Sequence, residues 1–275
     1  MKKLILITVS LSLIYSQALA SARYISLAPA TTEILFALGL DEEIISVSSY
    51  CNYPPKAQEK EKFGTFSDPN IEKILSLKPD IVFATGLEQA PAVMRLEKLG
   101  IKVCVSDPKN IEELLKSINQ IGQITHKEKE AGELVVQMQK IIEVVKEKVK
   151  GVPKEKRPKV FIEIWHDPLM TAGPGSIVNE LLELAGGENI AYDAPRAYSR
   201  FSAEVIIKRN PQVIILGYMS KDNTKDLISN RLGWQDISAV KNKRIVSNIN
   251  PDLILRPGPR LAQGLEEIYR CLYEK

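Results

Sequence analysis

The chain has 275 residues, with 37 Lys and Arg against 34 Asp and Glu, 44% hydrophobic residues, three Cys and two His. The near balance of charge excludes the strongly basic face of a nucleic-acid binder. Three cysteines are too few for a disulfide scaffold, and two histidines exclude a His-rich metal site.

Residues 1–20 have the parts of a cleaved secretory signal peptide: Lys2 and Lys3, an apolar stretch from Leu4 to Tyr15, and the small-residue site Ala18-Leu19-Ala20. The apolar run is too short and too interrupted for a membrane span of ~20 residues. No Cys follows the cleavage site to carry a lipid. The mature chain, from about Ser21, keeps 35 basic and 34 acidic residues, and its expected place is the periplasm, as a soluble monomer.

From there short apolar runs alternate with helical patterns: YISL (24–27), IISV (44–47), IVFA (81–84), IKVCV (101–105), then KVFIEIW (159–165), QVIIL (212–216) and RIVS (244–247). Their β-branched content marks strands, and the alternation predicts an α/β fold with mostly parallel, helix-covered sheets. Cys104, inside one of these runs, is expected to be a buried thiol. Pairing of Cys51 with Cys271 is left open. Between the two groups, Thr125 and Glu128 have the spacing of a capping box. Apolar residues at helical spacing follow, from Ala131 to Val149, before Gly151 and Pro153. The expected organisation is an N-terminal lobe over 21–124, a single long helix over 125–151, roughly 37 Å in length, and a C-terminal lobe over 152–275.

A duplication supports two related lobes. NIEKILSLKPDIVFA (70–84) matches SAEVIIKRNPQVIIL (202–216), with Glu72 and Glu204, and Pro79 and Pro211, all 132 positions apart. Upstream, TEILFALG (32–39) matches NELLELAG (179–186) in the same order.

Ligands of open parallel sheets bind at the loops after the carboxyl ends of strands. Those loops present Tyr50, Asn52, Tyr53, Phe66, Trp165, His166, Met170, Tyr192, Tyr198, Arg200, Asp252, Leu253 and Arg256. Aromatic and apolar groups with a few polar ones suit a small-molecule cleft better than a proton-transfer site. The Gly173-Pro174-Gly175-Ser176 turn is a weak anion-site signal at a helix start. Nucleophile elbow, P-loop and H-E-x-x-H motifs are all absent from the sequence, so the expectation is a protein without catalytic residues or a metal. An exported enzyme on the same fold is the competing class.

RYISLAPATTEILFALGL, SSYCNYPPKA, NIEKILSLKPDIVFATG and FSAEVIIKRNPQVIIL resemble the cobalamin-binding proteins of ABC importers and, more broadly, the cobalamin and iron-siderophore branch of solute-binding proteins. The resemblance runs over nearly the whole mature chain. It implies two α/β lobes on one long helix, no cofactor, and a transported corrinoid, cobalamin first, held between the lobes. It points to Tyr50, Phe66, Met170, Tyr198 and Asp252 as ligand contacts, to which the loops add Trp165, Arg200 and Arg256. Phe66 and Tyr198 stand where the best-known cobalamin binders have tryptophans, and Leu253 replaces an aromatic beside Asp252. Glu72 and Glu204 match the exposed glutamates that pair with arginines on the two permease subunits, which would be the only contact with the membrane. Each also follows a good N-cap, Asn70 or Ser202, where a carboxylate favours the helix dipole. A ferric siderophore or haem is the alternative cargo; Arg196, Arg200, Arg256 and Arg260 are the cations an anionic siderophore would use.

Overall fold

The structure, a computed structural model, describes residues 21–218 and 228–274. The predicted leader peptide lies outside them. No helix among the described residues is long and apolar enough to cross a membrane.

Strands β1 (Tyr24–Ser26), β2 (Ile44–Val47), β3 (Glu61–Lys62), β4 (Ile81–Ala84) and β5 (Val103–Val105) form one parallel sheet in the order β3-β2-β1-β4-β5. A second sheet holds β6 (Lys159–His166), β7 (Leu169–Ala172), β9 (Tyr198–Arg200), β10 (Val213–Leu216) and β11 (Ile245–Val246) in the order β11-β10-β6-β7-β9. The short β8 (Glu188–Asn189) pairs with the start of β6. Here β6, β10 and β11 are parallel, while β7 runs antiparallel to β6 and β9 antiparallel to β7. Every expected strand is present: β2 and β4 keep their expected bounds, β6 gains one residue, and the others are trimmed by one or two. The segment HDPLMTAG, expected as a loop, instead turns at Asp167-Pro168 into β7, a strand with a single β-branched residue to mark it.

The duplicated unit is duplicated in three dimensions. Asn70 and Ser202 cap helices Ile71–Ser76 and Ala203–Arg209, accepting from Lys73 N and Glu204 N. Both helices end in a left-handed residue, Lys78 (φ 46°) and Asn210 (φ 47°), just before Pro79 and Pro211. The strands that follow, β4 and β10, each lie parallel beside the first strand of their own sheet, β1 and β6.

The long helix spans Glu128–Lys150, 23 residues. The expected capping box at Thr125 does not form. Thr125 is the last residue of helix Ile111–Thr125, and its hydroxyl donates back to Ile121 O at 2.7 Å. His126 then adopts a left-handed φ of 58°, and Lys127 starts the long helix with no side-chain cap. A Thr-x-x-Glu pattern signals a start only when the chain before it is not already helical; in a helix, threonine bonds the carbonyl one turn back. The two helices pack closely at Gly122, where an added Cβ would fall 2.5 Å from Ala131 Cβ.

Ala131, Met138, Ile142, Val145 and Val149 of the long helix bury one stripe in a core shared by both halves. Ile34, Leu38 and Phe83 reach it from the first half, and Val160, Ile162, Val213 and Leu265 from the second. Polar groups cross the same junction. Glu33, 3% exposed on helix Pro29–Ala37, accepts from Arg260 Nε at 2.8 Å and Arg260 Nη2 at 2.7 Å. Arg256 Nη1 adds a longer contact at 3.4 Å. Hydrogen bonding to Glu33 raises the Arg260 pKa, and the Arg260 guanidinium lies 3.7 Å over the Tyr53 ring. Arg256 also donates to Asn52 Oδ1 (2.6 Å) and pairs with Asp252 (2.9 Å), while Asn52 Nδ2 donates to Asp252 Oδ2 (3.2 Å). Glu180 occupies the position equivalent to Glu33 in the duplicated helix, and it crosses in the opposite direction: its Oε2 accepts from Ile111 N at 2.8 Å, capping a helix of the first half.

Removing one partner of a buried ion pair leaves the other charge uncompensated. Glu33→Ala should therefore lower the unfolding free energy by about 3–5 kcal/mol, read from urea unfolding. Glu180→Ala removes one hydrogen bond and should cost only about 1 kcal/mol. Equal effects of the two substitutions would contradict this ranking.

Candidate functional site

The strand order β3-β2-β1-β4-β5 reverses direction between β1 and β4, which opens a crevice at their carboxyl ends. Residues 85–89 and 106–110 leave β4 and β5 there, and the loop at 63–69 folds over them. The second half faces this crevice with the turn after β7, the start of β9 and residues 255–257. The result is a cleft between the two sheets with two adjoining compartments of about 460 Å³ each.

Phe66 from the first half and Tyr198 from the second line one compartment together with Thr85, Asp107, Lys109 and Ser176. Tyr50, Phe66, Glu88, Leu255, Arg256 and Pro257 line the other. Tyr50 is 59% and Tyr198 42% exposed, large apolar surfaces held open where a ligand could cover them. Burial, with the Asp107 charge nearby, raises the Tyr198 phenol pKa. Lys109 is already paired with Asp107 at 2.5 Å. Ser176 caps its own helix by accepting from Asn179 N and donates to Gly173 O, so the Gly-Pro-Gly-Ser turn serves the helix start.

Of the residues singled out in the sequence, Tyr50, Phe66, Tyr198 and Arg256 come together around the cleft. Trp165, Met170 and Arg200 form one cross-strand row, with Met170 opposite Trp165 on β6 and Arg200 on β9. Side chains alternate along a strand, so this row shares the sheet face of Tyr198 but lies beyond the compartments. Trp165 donates from Nε1 to Asp167 O (2.8 Å) and packs with His166 and Tyr218. Tyr218 is anchored on the buried Glu163, which also receives both Nη groups of Arg231. Asp252 is turned into the junction with Asn52 and Arg256. Glu72 and Glu204 are both exposed in the first turns of their equivalent helices. Thr85, Glu88, Asp107 and Lys109 were missed. The rule that found the others, loops after strands, reaches Thr85 and Asp107 directly, but these loops carry no aromatic to draw attention. Among the described residues, no group of three or more His, Cys, Asp or Glu is placed to hold a metal.

The family profile described as periplasmic binding protein matches residues 25–249. An uncharacterised ABC transporter substrate-binding lipoprotein of Bacillus subtilis is 36% identical over 257 residues, covering 91% of this chain and 80% of that protein. A vitamin B12-binding protein of Pectobacterium carotovorum is 31% identical over 248 residues, covering 90% and 86%. The crystal structure of a Staphylococcus epidermidis protein, described as a possible iron-binding periplasmic solute-binding protein, superposes with a TM-score of 0.79 at 34% identity, covering 92% of this chain and 98% of that one.

Behind Tyr50, Cys51 is 1% exposed; its sulfur accepts from Thr32 Oγ1 at 3.1 Å and contacts Ser48 Oγ at 3.2 Å. Burial raises its thiol pKa. All three cysteines are free, and Cys104 is half-buried on the edge strand β5 rather than fully buried. Because the thiolate is the reactive species, Cys51 should resist an aromatic disulfide reagent at pH 8 in the native protein and react once denaturant is added. Rapid native labelling of Cys51, located by peptide mapping, would contradict its placement.

Proposed function

The chain belongs to the periplasmic binding protein family, and from that footing we propose that it captures a corrinoid, cobalamin first, between its two lobes and delivers it to an ABC importer. The observation that carries this reading is the pairing of one aromatic ring from each lobe, Phe66 and Tyr198, across a cleft whose lining arginine, Arg256, is already engaged. A corrin presents a broad, mostly uncharged face, which aromatic surfaces cover well. Arg256 and Arg260 are held by Glu33 and Asp252, which withdraws two of the four arginines an anionic cargo would use. The vitamin B12-binding relative supports the same ligand class.

A second reading, a ferric siderophore or haem, draws on the Staphylococcus relative and on Arg200, which has no ion-pair partner among the described residues. Neither reading gives the protein a catalytic step, since it binds and hands over.

The working unit is a monomer of two lobes, 21–124 and 152–275, joined through the segment 125–151 that carries the long helix Glu128–Lys150. Its leader peptide directs it out of the cytoplasm to the periplasm. Glu72 and Glu204 then form a two-point docking surface for the two permease subunits.

Calorimetric titration of the purified protein with cyanocobalamin, a ferric siderophore and haem separates the ligand readings. Binding of cyanocobalamin is expected, with Phe66→Ala and Tyr198→Ala each weakening it about tenfold, the scale of one lost aromatic contact. Binding of the siderophore alone would overturn the corrinoid reading. For docking, Glu72→Arg combined with Glu204→Arg should leave ligand affinity unchanged and abolish uptake in cells that depend on this protein. Normal uptake by that double variant would refute the docking role.

A further inference from the structure

We infer that Gln89 is the positioning residue that sets where the cleft's aromatic wall stands. Its side chain is 1% exposed at the end of the short 3-10 turn that follows β4. All of its hydrogen-bonding groups point to backbone. Nε2 donates to Leu27 O at 3.0 Å and to Phe66 O at 2.9 Å, and Oε1 accepts from Thr85 N at 2.9 Å. Leu27 and Thr85 are the first residues beyond the carboxyl ends of β1 and β4. These are the two strands between which the sheet order reverses. Gln89 thus fills the crevice at the switch point and ties three separate segments together with one amide.

The segment that needs the tie is the loop carrying Phe66. It is closed at its base by the Gly64–Pro69 bridge and a contact between Thr65 N and Asp68 O at 3.3 Å. Gly64 has φ 147°, and an added Cβ would meet Asp68 O at 2.9 Å. The base is therefore a tight turn. The bond from Gln89 reaches the tip, at the carbonyl of the residue whose ring lines both compartments. A buried amide with both donors and an acceptor satisfied is rigid, because moving it strands the buried Leu27 carbonyl and gives up two further bonds. No aspartate, glutamate or apolar residue can donate two hydrogen bonds and accept a third in this way.

The consequence for binding rests on the reading that Phe66 touches the cargo, whereas the anchoring itself does not. Two arms keep them apart. In the first, amide hydrogen exchange is measured on ligand-free wild type, Gln89→Met and Gln89→Glu. Exchange at the Thr65 and Asp68 amides, which are hydrogen-bonded within the loop, should rise about tenfold in both variants, the factor expected from losing one hydrogen bond, while the amides of β6 and β10 keep their wild-type rates. Unchanged exchange at these two amides, or an equal rise throughout the molecule, would overturn the proposal.

In the second arm, cyanocobalamin affinity is followed from pH 7 to pH 5. A carboxylate cannot donate to Leu27 O or Phe66 O, but a protonated carboxyl can donate once. Gln89→Glu should therefore bind about tenfold more weakly than wild type at pH 7 and regain part of that loss toward pH 5, which Gln89→Met does not. A merely structural role predicts no such selective recovery. If wild type binds no cyanocobalamin, the ligand reading fails and the exchange arm alone decides the anchoring.

Discussion

A carboxylate at 3% exposure is costly to bury unless its partners are already in place. Glu33 sits on the first helix of one half, and its partners, Arg256 and Arg260, come from the other. Neither half can satisfy the junction alone. Glu180, its equivalent in the duplicated helix, makes the reciprocal crossing to the N-terminus of the Ile111–Thr125 helix. Together with the apolar stripe of the long helix, which lies in a core shared by both halves, these crossings weld the two lobes on opposite sides of their pseudo-symmetry.

That weld shapes the cleft in two ways. It fixes the spacing between Phe66 and Tyr198, so the aromatic walls are assembled before any ligand arrives, and a preorganised site loses less entropy on binding. It also holds the Arg256 and Arg260 guanidinium groups against carboxylates, so that positive charge near the cleft is matched from within. On the corrinoid reading proposed above, such a site favours broad, weakly charged surfaces over compact anions. On that reading, the interaction that joins the lobes also biases what can lie between them.

Much of the fold was readable because its signals are local. The β-branched runs became strands, and the apolar spacing from Ala131 to Val149 became the buried face of the long helix. The 132-residue duplication proved to extend to left-handed residues before Pro79 and Pro211. What was not readable depends on context. Thr125 carried a start signature inside a helix that had not yet ended. The strands β7 (LMTA) and β9 (YSR) lack the β-branched runs that mark the others, and β9 carries two polar residues in three. In the candidate site the exposed aromatics announced themselves, whereas Thr85, Asp107 and Gln89 are ordinary residues made significant only by which backbone groups meet them. Glu33 was the hardest of all. The sequence match with Glu180 was visible, but nothing in one dimension says that both cross between lobes.

The weld is tested most directly by the distance between the lobes in solution. Spin labels introduced through unnatural amino acids at the exposed Lys98 and Lys208 report that distance by pulsed electron resonance. Wild type should give one narrow distance distribution without ligand, and Glu33→Ala should give a broadened one, because the junction has lost the charge that holds its two arginines. Equally narrow distributions in both proteins would contradict the account, showing that the lobes are held without Glu33.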